Sequence, residues 1–208
     1  MPKAFTEHER QQIGEQLMQA GDRYFAAHGL KKTTIDELAA DAGISKGAFY
    51  LFYESKEALF MDVVERAEER FRQDVLAVID QPGDSPRARL FAVFKQAFTL
   101  WRTIPILKLF NTEDFSAMAR KIPADKVKEH YASDRLFIVE LVARCNQAGI
   151  PIKAPVQQLD GLVHALFFTS LHEDDFASDY PGTLDILIEL LVAYALGDVT
   201  TQAYLGSE

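Results

Sequence analysis

Apolar residues recur every three or four positions along almost the whole of this chain, and nowhere do they alternate with polar ones long enough to make a strand. That interval predicts an all-α fold, because a helix returns side chains to one face at this spacing and a strand does so at every second residue. Caps and breakers cut the pattern into pieces. Thr6 with Glu9 has the spacing of a capping box, Ile13, Leu17, Tyr24 and Phe25 form an apolar stripe, and Gly29 is placed to end a first helix. Thr34 with Glu37 repeats the box, and Ile35, Leu38, Ala39 and Ala42 give a short second helix that Gly43 stops. Ser45 is placed to cap a third helix over Lys46 to Tyr53, and Ser55 a long fourth from Lys56 to about Ile79. Further on, Pro86, Pro105, Pro123, Pro155 and Pro181 punctuate the chain, for roughly nine helices in all.

The chain has 208 residues, enough for one or two domains with a buried core. Its charged fraction of 25% and hydrophobic fraction of 48% exclude a disordered tail and a membrane-embedded bundle. The first residues are polar where a signal peptide is apolar, and the apolar run Leu184 to Leu196 is broken by Asp185 and Glu189. With a single cysteine, Cys145, and no disulfide to form, the expectation is a cytoplasmic protein without membrane contact. The net charge of −9 excludes a surface that grips nucleic acid everywhere but allows a small reading head. Up to Phe60 there are 7 basic residues against 9 acidic; beyond it, 15 against 22.

Such a head is visible in the order Thr34 to Ala42, Gly43-Ile44-Ser45, Lys46 to Tyr53, which is helix-turn-helix spacing. Ala39 and Ala42 are small enough to let the next helix come close. The first turn of that helix, Lys46-Gly47-Ala48, has little bulk, so its backbone can approach a major groove while Lys46 reaches a base edge or phosphate. With so little basic charge, contacts per subunit are few, and two copies are expected on the DNA.

The runs Thr33-Thr34-Ile35-Asp36-Glu37-Leu38-Ala39, Gly43-Ile44-Ser45-Lys46-Gly47-Ala48-Phe49-Tyr50 and Phe52-Tyr53-Glu54-Ser55-Lys56-Glu57-Ala58-Leu59 strongly resemble the tetracycline-repressor (TetR) family of transcription regulators. The resemblance implies an all-α chain with a DNA-binding domain at 1–55 and a larger effector-binding and dimerisation domain at 56–208. It makes Thr34, Tyr50 and Lys56 phosphate contacts, which set register without reading sequence. Lys46, Gly47, Ala48 and Leu51 become the base-facing surface, with Ser45 in the same DNA-contacting set, while Phe49 packs inward. Many relatives have His where this chain has Phe52, and Phe where it has Tyr53.

The family also implies an effector pocket in the second domain. The candidates are Phe94, Phe98, Trp101, Phe110, Phe115 and Met118, together with Tyr131, His164 and Phe168. The same aromatic spacing also serves plain core packing, and both readings stand at this level. Helices from Pro155 to about Leu171 and from Thr183 to Leu196 are apolar on many sides. Leu159, Val163, Leu166, Leu184, Leu187, Ile188 and Leu191 are the candidates for a two-fold interface with a second copy, the alternative being burial within one chain.

No metal or cofactor is expected. His164 and His172 are eight residues apart, about 12 Å along a helix, which is too far to share an ion. Phosphate-cradling glycine loops, nucleophile elbows and paired metal-ligand motifs are missing from the sequence, so an enzyme is not expected. The expected function is a ligand-responsive repressor that reads a near-palindromic duplex operator as a homodimer, the alternative being a helical dimeric ligand-binding or interaction module without sequence-specific DNA binding. The long fourth helix would carry the effector's influence to the two heads.

Overall fold

The computed structural model describes residues 5–107, 109, 124–171 and 180–199, with side chains given for all of these except 124–131 and 171. Its regular elements are all helical: α1 (Glu7–Lys32), α2 (Ile35–Asp41), α3 (Lys46–Phe49), α4 (Lys56–Ile79), α5 (Pro86–Thr103), α6 (Ala124–Gln147), α7 (Val156–Leu171) and α8 (Tyr180–Leu196). No described helix is long and apolar enough to cross a membrane. The chain divides into two compact units. One runs up to Glu69 and takes in the described part of Ile104–Val127; the other combines Arg70–Thr103 with the described part from Lys128 onward.

In the first unit both expected capping boxes are formed. Thr6 Oγ1 accepts from the Glu9 amide at 3.2 Å while Glu9 Oε2 accepts from the Thr6 amide at 2.7 Å. Two otherwise orphaned amides are satisfied in this exchange. Gly29 takes φ 73 and kinks the end of α1, and Gly43 takes φ 69 after α2, both in the left-handed region that a Cβ disfavours. Gly43 donates to Ala40 O and Ile44 to Ala39 O, which closes α2 in a Schellman motif. Leu17, Ala20, Phe25, Leu38, Ala39, Phe49, Leu59, Phe60 and Val63 form the core beneath. Phe25 and Phe60 meet edge to face at 5.2 Å.

The third helix is shorter than its spacing suggests, since it ends at Phe49 and not at Tyr53. Leu51 donates to Ala48 O and Phe52 to Phe49 O, bonds that reach back three residues and tighten the chain out of the α-helix.

In the second unit Val75, Ile79, Leu90, Val93, Phe94 and Phe98 pack with Leu159, Val163, Leu184, Ile188 and Leu191 as one core. Helices α5 and α8 lie together, and α7 contacts both. Arg89 donates to Ile79 O at 2.7 Å and to Ala148 O at 2.8 Å, tying the C-terminal ends of α4 and α6. Arg72 donates to Ser133 Oγ at 2.7 Å and Asp134 Oδ1 at 2.8 Å, tying α4 to α6 within this unit.

Candidate nucleic-acid interface

Four elements meet around an open concavity of about 430 Å³: the C-terminal end of α1, the first turn of α2, the residues of α3 and the first turn of α4. Thr34, Asp36, Lys46, Tyr50 and Lys56 are among its lining residues. Three of the expected phosphate-contact residues and the expected base reader therefore share one rim.

Each is held by a local device. Thr34 caps α2, with its side chain accepting from the Glu37 amide at 3.3 Å. In return Glu37 Oε2 accepts from the Thr34 amide at 2.9 Å and the Thr34 hydroxyl at 2.7 Å. The Thr34 hydroxyl, the largest influence, and its amide hold the Glu37 carboxyl below the ordinary 4.5. Ser45 caps α3 by accepting from the Ala48 amide at 3.2 Å, so its hydroxyl oxygen is used locally. Phe49 is fully buried, as expected, and anchors α3 against the core. Above that anchor Ser45, Lys46 and Gly47 are exposed, Ala48 is half-buried, and Tyr50 and Leu51 are 51% and 58% exposed. Burying Phe49 leaves the opposite side of this short helix facing outward.

Two cations on the rim, Lys46 and Lys56, have ammonium groups that already hold partners. Lys46 Nζ lies 2.7 Å from Asp36 Oδ2, an ion pair from α2 to the first residue of α3. The hydrogen bond to Asp36 holds the ammonium above its ordinary range. Lys56 donates to Leu30 O and Thr33 O, each at 2.7 Å, and reaches Lys31 O at 3.4 Å. It is thus bound to the end of α1. Sequence spacing missed both partnerships, and it also missed Arg10, which lies over the Phe52 ring at 5.2 Å and donates to Leu51 O. Burial pushes the neighbouring Tyr53 phenol up to about 12, with the charge of Asp62 adding to the effect.

In the second unit the expected effector residues separate into groups. Phe98 and Trp101 both meet Phe167, at 4.5 and 5.0 Å, and Trp101 also meets Phe71 at 5.6 Å. Phe94 is buried in the core beside them in sequence. The structure does not bring His164 and Phe168 to this cluster: His164 is exposed with Nδ1 at 2.9 Å from Asp160 O, and Phe168 is 66% exposed. Phe110, Phe115 and Met118 lie outside the described residues, as do His172 and its acidic neighbours, and the Tyr131 side chain is likewise outside. Cys145 is buried, and burial raises its thiol to about 11. Among the described residues no three His, Cys, Asp or Glu side chains group to hold a metal.

The interface candidates divide by burial within the chain. Leu159, Val163, Leu184, Ile188 and Leu191 are 4% exposed or less, because they pack into the chain's own core. Leu166 and Leu187 are half-buried. The apolar residues turned outward on α7 and α8 are instead Leu162, Ile186 and Leu190, at 41%, 64% and 58%, with Phe168.

Residues 17–63, which hold most of this rim, match the family described as bacterial regulatory proteins, tetR family. The chain is 49% identical over 51 residues to the uncharacterised HTH-type transcriptional regulator YerO of Bacillus subtilis, covering 24% of this chain and 18% of that protein. It is 27% identical over 109 residues to the HTH-type transcriptional repressor BepR of Brucella suis, covering 52% of this chain and 48% of that one. The matched parts are thus less than half the length of these relatives. A TetR-family structure from Mesorhizobium loti superposes with a TM-score of 0.64 at 15% identity, over 93% of this chain and 98% of that one, which establishes a TetR-like fold. Over residues 17–63 the chain thus carries a segment of the tetR family of bacterial regulatory proteins, within a TetR-like fold.

Proposed function

We propose that this protein is a DNA-binding transcriptional regulator, a repressor, and not an enzyme. It reads a near-palindromic duplex operator as a homodimer and responds to a small, mostly apolar organic effector. The observation that carries the reading is the outward row Ser45, Lys46, Gly47, Tyr50 and Leu51, on and around a short helix pinned from below by the fully buried Phe49. An exposed tyrosine and leucine beside a lysine, on a turn with a glycine and no bulk, suit a groove better than open water. The similarity to BepR supports the repressor assignment.

In this reading the DNA-binding part is 1–55 and the remainder, 56–208, holds the effector and the dimer contacts. Thr34, Ser45 and Tyr50 position the backbone, and Lys46, Gly47, Ala48 and Leu51 face the bases. Two heads spaced about 34–36 Å apart meet successive turns of one face of the duplex. The Phe71, Phe98, Trp101 and Phe167 cluster is the apolar wall against which an effector would lie. Release of DNA requires that the effector favour the conformation that does not bind it.

The test is selection of random duplex DNA by the purified chain at a stated moderate salt, repeated with Lys46→Ala. The expected result is an enriched palindrome whose preference weakens or shifts in the variant. No enrichment by a folded, ligand-free protein would sink the reading.

A further inference from the structure

The first turn of α2 carries two adjacent acids with different partners. Glu37 folds back onto Thr34 as part of the capping box. Asp36 instead reaches across the turn, and its Oδ2 meets Lys46 Nζ at 2.7 Å. Both side chains of this pair stay more than half exposed, at 65% for Asp36 and 56% for Lys46, on the rim they share with Tyr50. The pairing therefore adds little to the core and changes what the rim presents to a polyanion.

We propose that Asp36 is a specificity-determining residue that withholds the Lys46 ammonium from DNA phosphates, leaving it available for a base edge. This rests on the DNA-reading function assigned above. A lysine on a flexible stem binds any phosphate within reach as a point charge, and such contacts are blind to sequence. A carboxylate fixed at 2.7 Å cancels that attraction at the range of a passing phosphate. It still leaves two of the three ammonium hydrogens for acceptors such as guanine O6 and N7. A partner on α2 also limits where Lys46 can point, which favours one register on the groove.

The experiment measures binding of the full chain to its selected duplex and to a random-sequence duplex across a salt series. The proteins are wild type, Asp36→Asn, Asp36→Glu, Lys46→Ala and the Asp36→Asn/Lys46→Ala double variant. Thermal melting confirms that each is folded. Asp36→Asn is expected to tighten random-duplex binding and to lower the ratio of selected to random affinity. Freeing one phosphate contact in each subunit steepens the salt slope of the dimer by about 1.8, so between 50 and 200 mM salt its random-duplex affinity falls about twelvefold further than that of wild type. Asp36→Glu, which keeps the charge, is expected to retain the wild-type ratio. In the Lys46→Ala background the Asp36→Asn gain should disappear. An equal gain in both backgrounds would show that Asp36 acts only as general negative charge and would overturn the inference, as would an unchanged ratio in Asp36→Asn. A wild-type chain that binds neither duplex, even at low salt, would overturn the DNA-reading assignment and the inference with it.

Discussion

Lys56, the first residue of α4, donates its ammonium to the carbonyl of Leu30 at 2.7 Å, bridging 26 positions of sequence. With the second bond to Thr33 O it satisfies carbonyls at and just past the end of α1, where the helix supplies no further amides. Replacing Lys56 by Met keeps the stem and removes the donor. Charge-assisted hydrogen bonds of this kind contribute about 1.5–3 kcal/mol. With the group only part-buried, Lys56→Met is expected to cost about 1–2 kcal/mol in urea unfolding. A pure phosphate contact would instead leave stability unchanged and reduce the salt slope of DNA binding by about 0.9 for each subunit on the duplex.

How closely α1 approaches α4 is set by Gly21. A Cβ there would lie 2.9 Å from Val63 Cγ2 and 3.2 Å from the Phe25 ring, whereas a Cβ at Gly14 meets nothing within 4 Å. The two alanine substitutions should therefore differ in sign. Gly21→Ala is expected to destabilise by about 1–3 kcal/mol through overpacking. Gly14→Ala, in the same helix and with open space, is expected to stabilise by about 0.5–1 kcal/mol. Urea midpoints of the two variants check both.

Much of this arrangement is legible in the sequence because it is local. Thr6 with Glu9 and Thr34 with Glu37 announce their caps by spacing alone, and Gly29 and Gly43 stand where left-handed backbone occurs, at φ 73 and 69. Relationships between distant residues are not announced in this way. Nothing in the spacing links Lys56 to Leu30 or Asp36 to Lys46, since those pairs exist only once α1 has met α4 and α2 has met α3. The phase of α7 and α8 is lost for a different reason. When a helix is apolar on most sides, periodicity no longer tells Leu159 from Leu162, although one is 1% and the other 41% exposed.

The capping boxes also predict an acid response. Hydrogen bonds from Thr34 and from Thr6 hold the Glu37 and Glu9 carboxyls below the ordinary 4.5. A carboxyl depressed on folding contributes stability that is full above its unfolded value and is lost as pH falls through the folded one. Glu37→Gln is therefore expected to melt below wild type at about pH 7, and the gap should narrow as pH drops below the carboxylate range. Melting curves at about pH 7 and about pH 3.5 measure it. A gap that stayed constant would mean that the glutamine replaces the carboxylate's bond or that the loss is one of packing.

Burial on α8 separates association from folding within two residues. Ile186 is 64% exposed and Ile188 fully buried, though both are isoleucines on one helix. A charge at 188 must enter the core, where an uncompensated cation is not tolerated, so Ile188→Arg should unfold the second unit. A charge at 186 or at Leu190 stays in water in the isolated chain and is desolvated only if a second copy covers that face. Ile186→Arg and Leu190→Arg are therefore expected to keep the helical signal and the melting midpoint of the lone chain, while sedimentation shows monomer where wild type shows dimer. Leu187, half-buried between these positions, should give a mixed result in which Leu187→Arg lowers both stability and association. If all three variants still sedimented as dimers, this face of α8 would not be the two-fold contact, and the outward side of α7 around Leu162 would be the next to test.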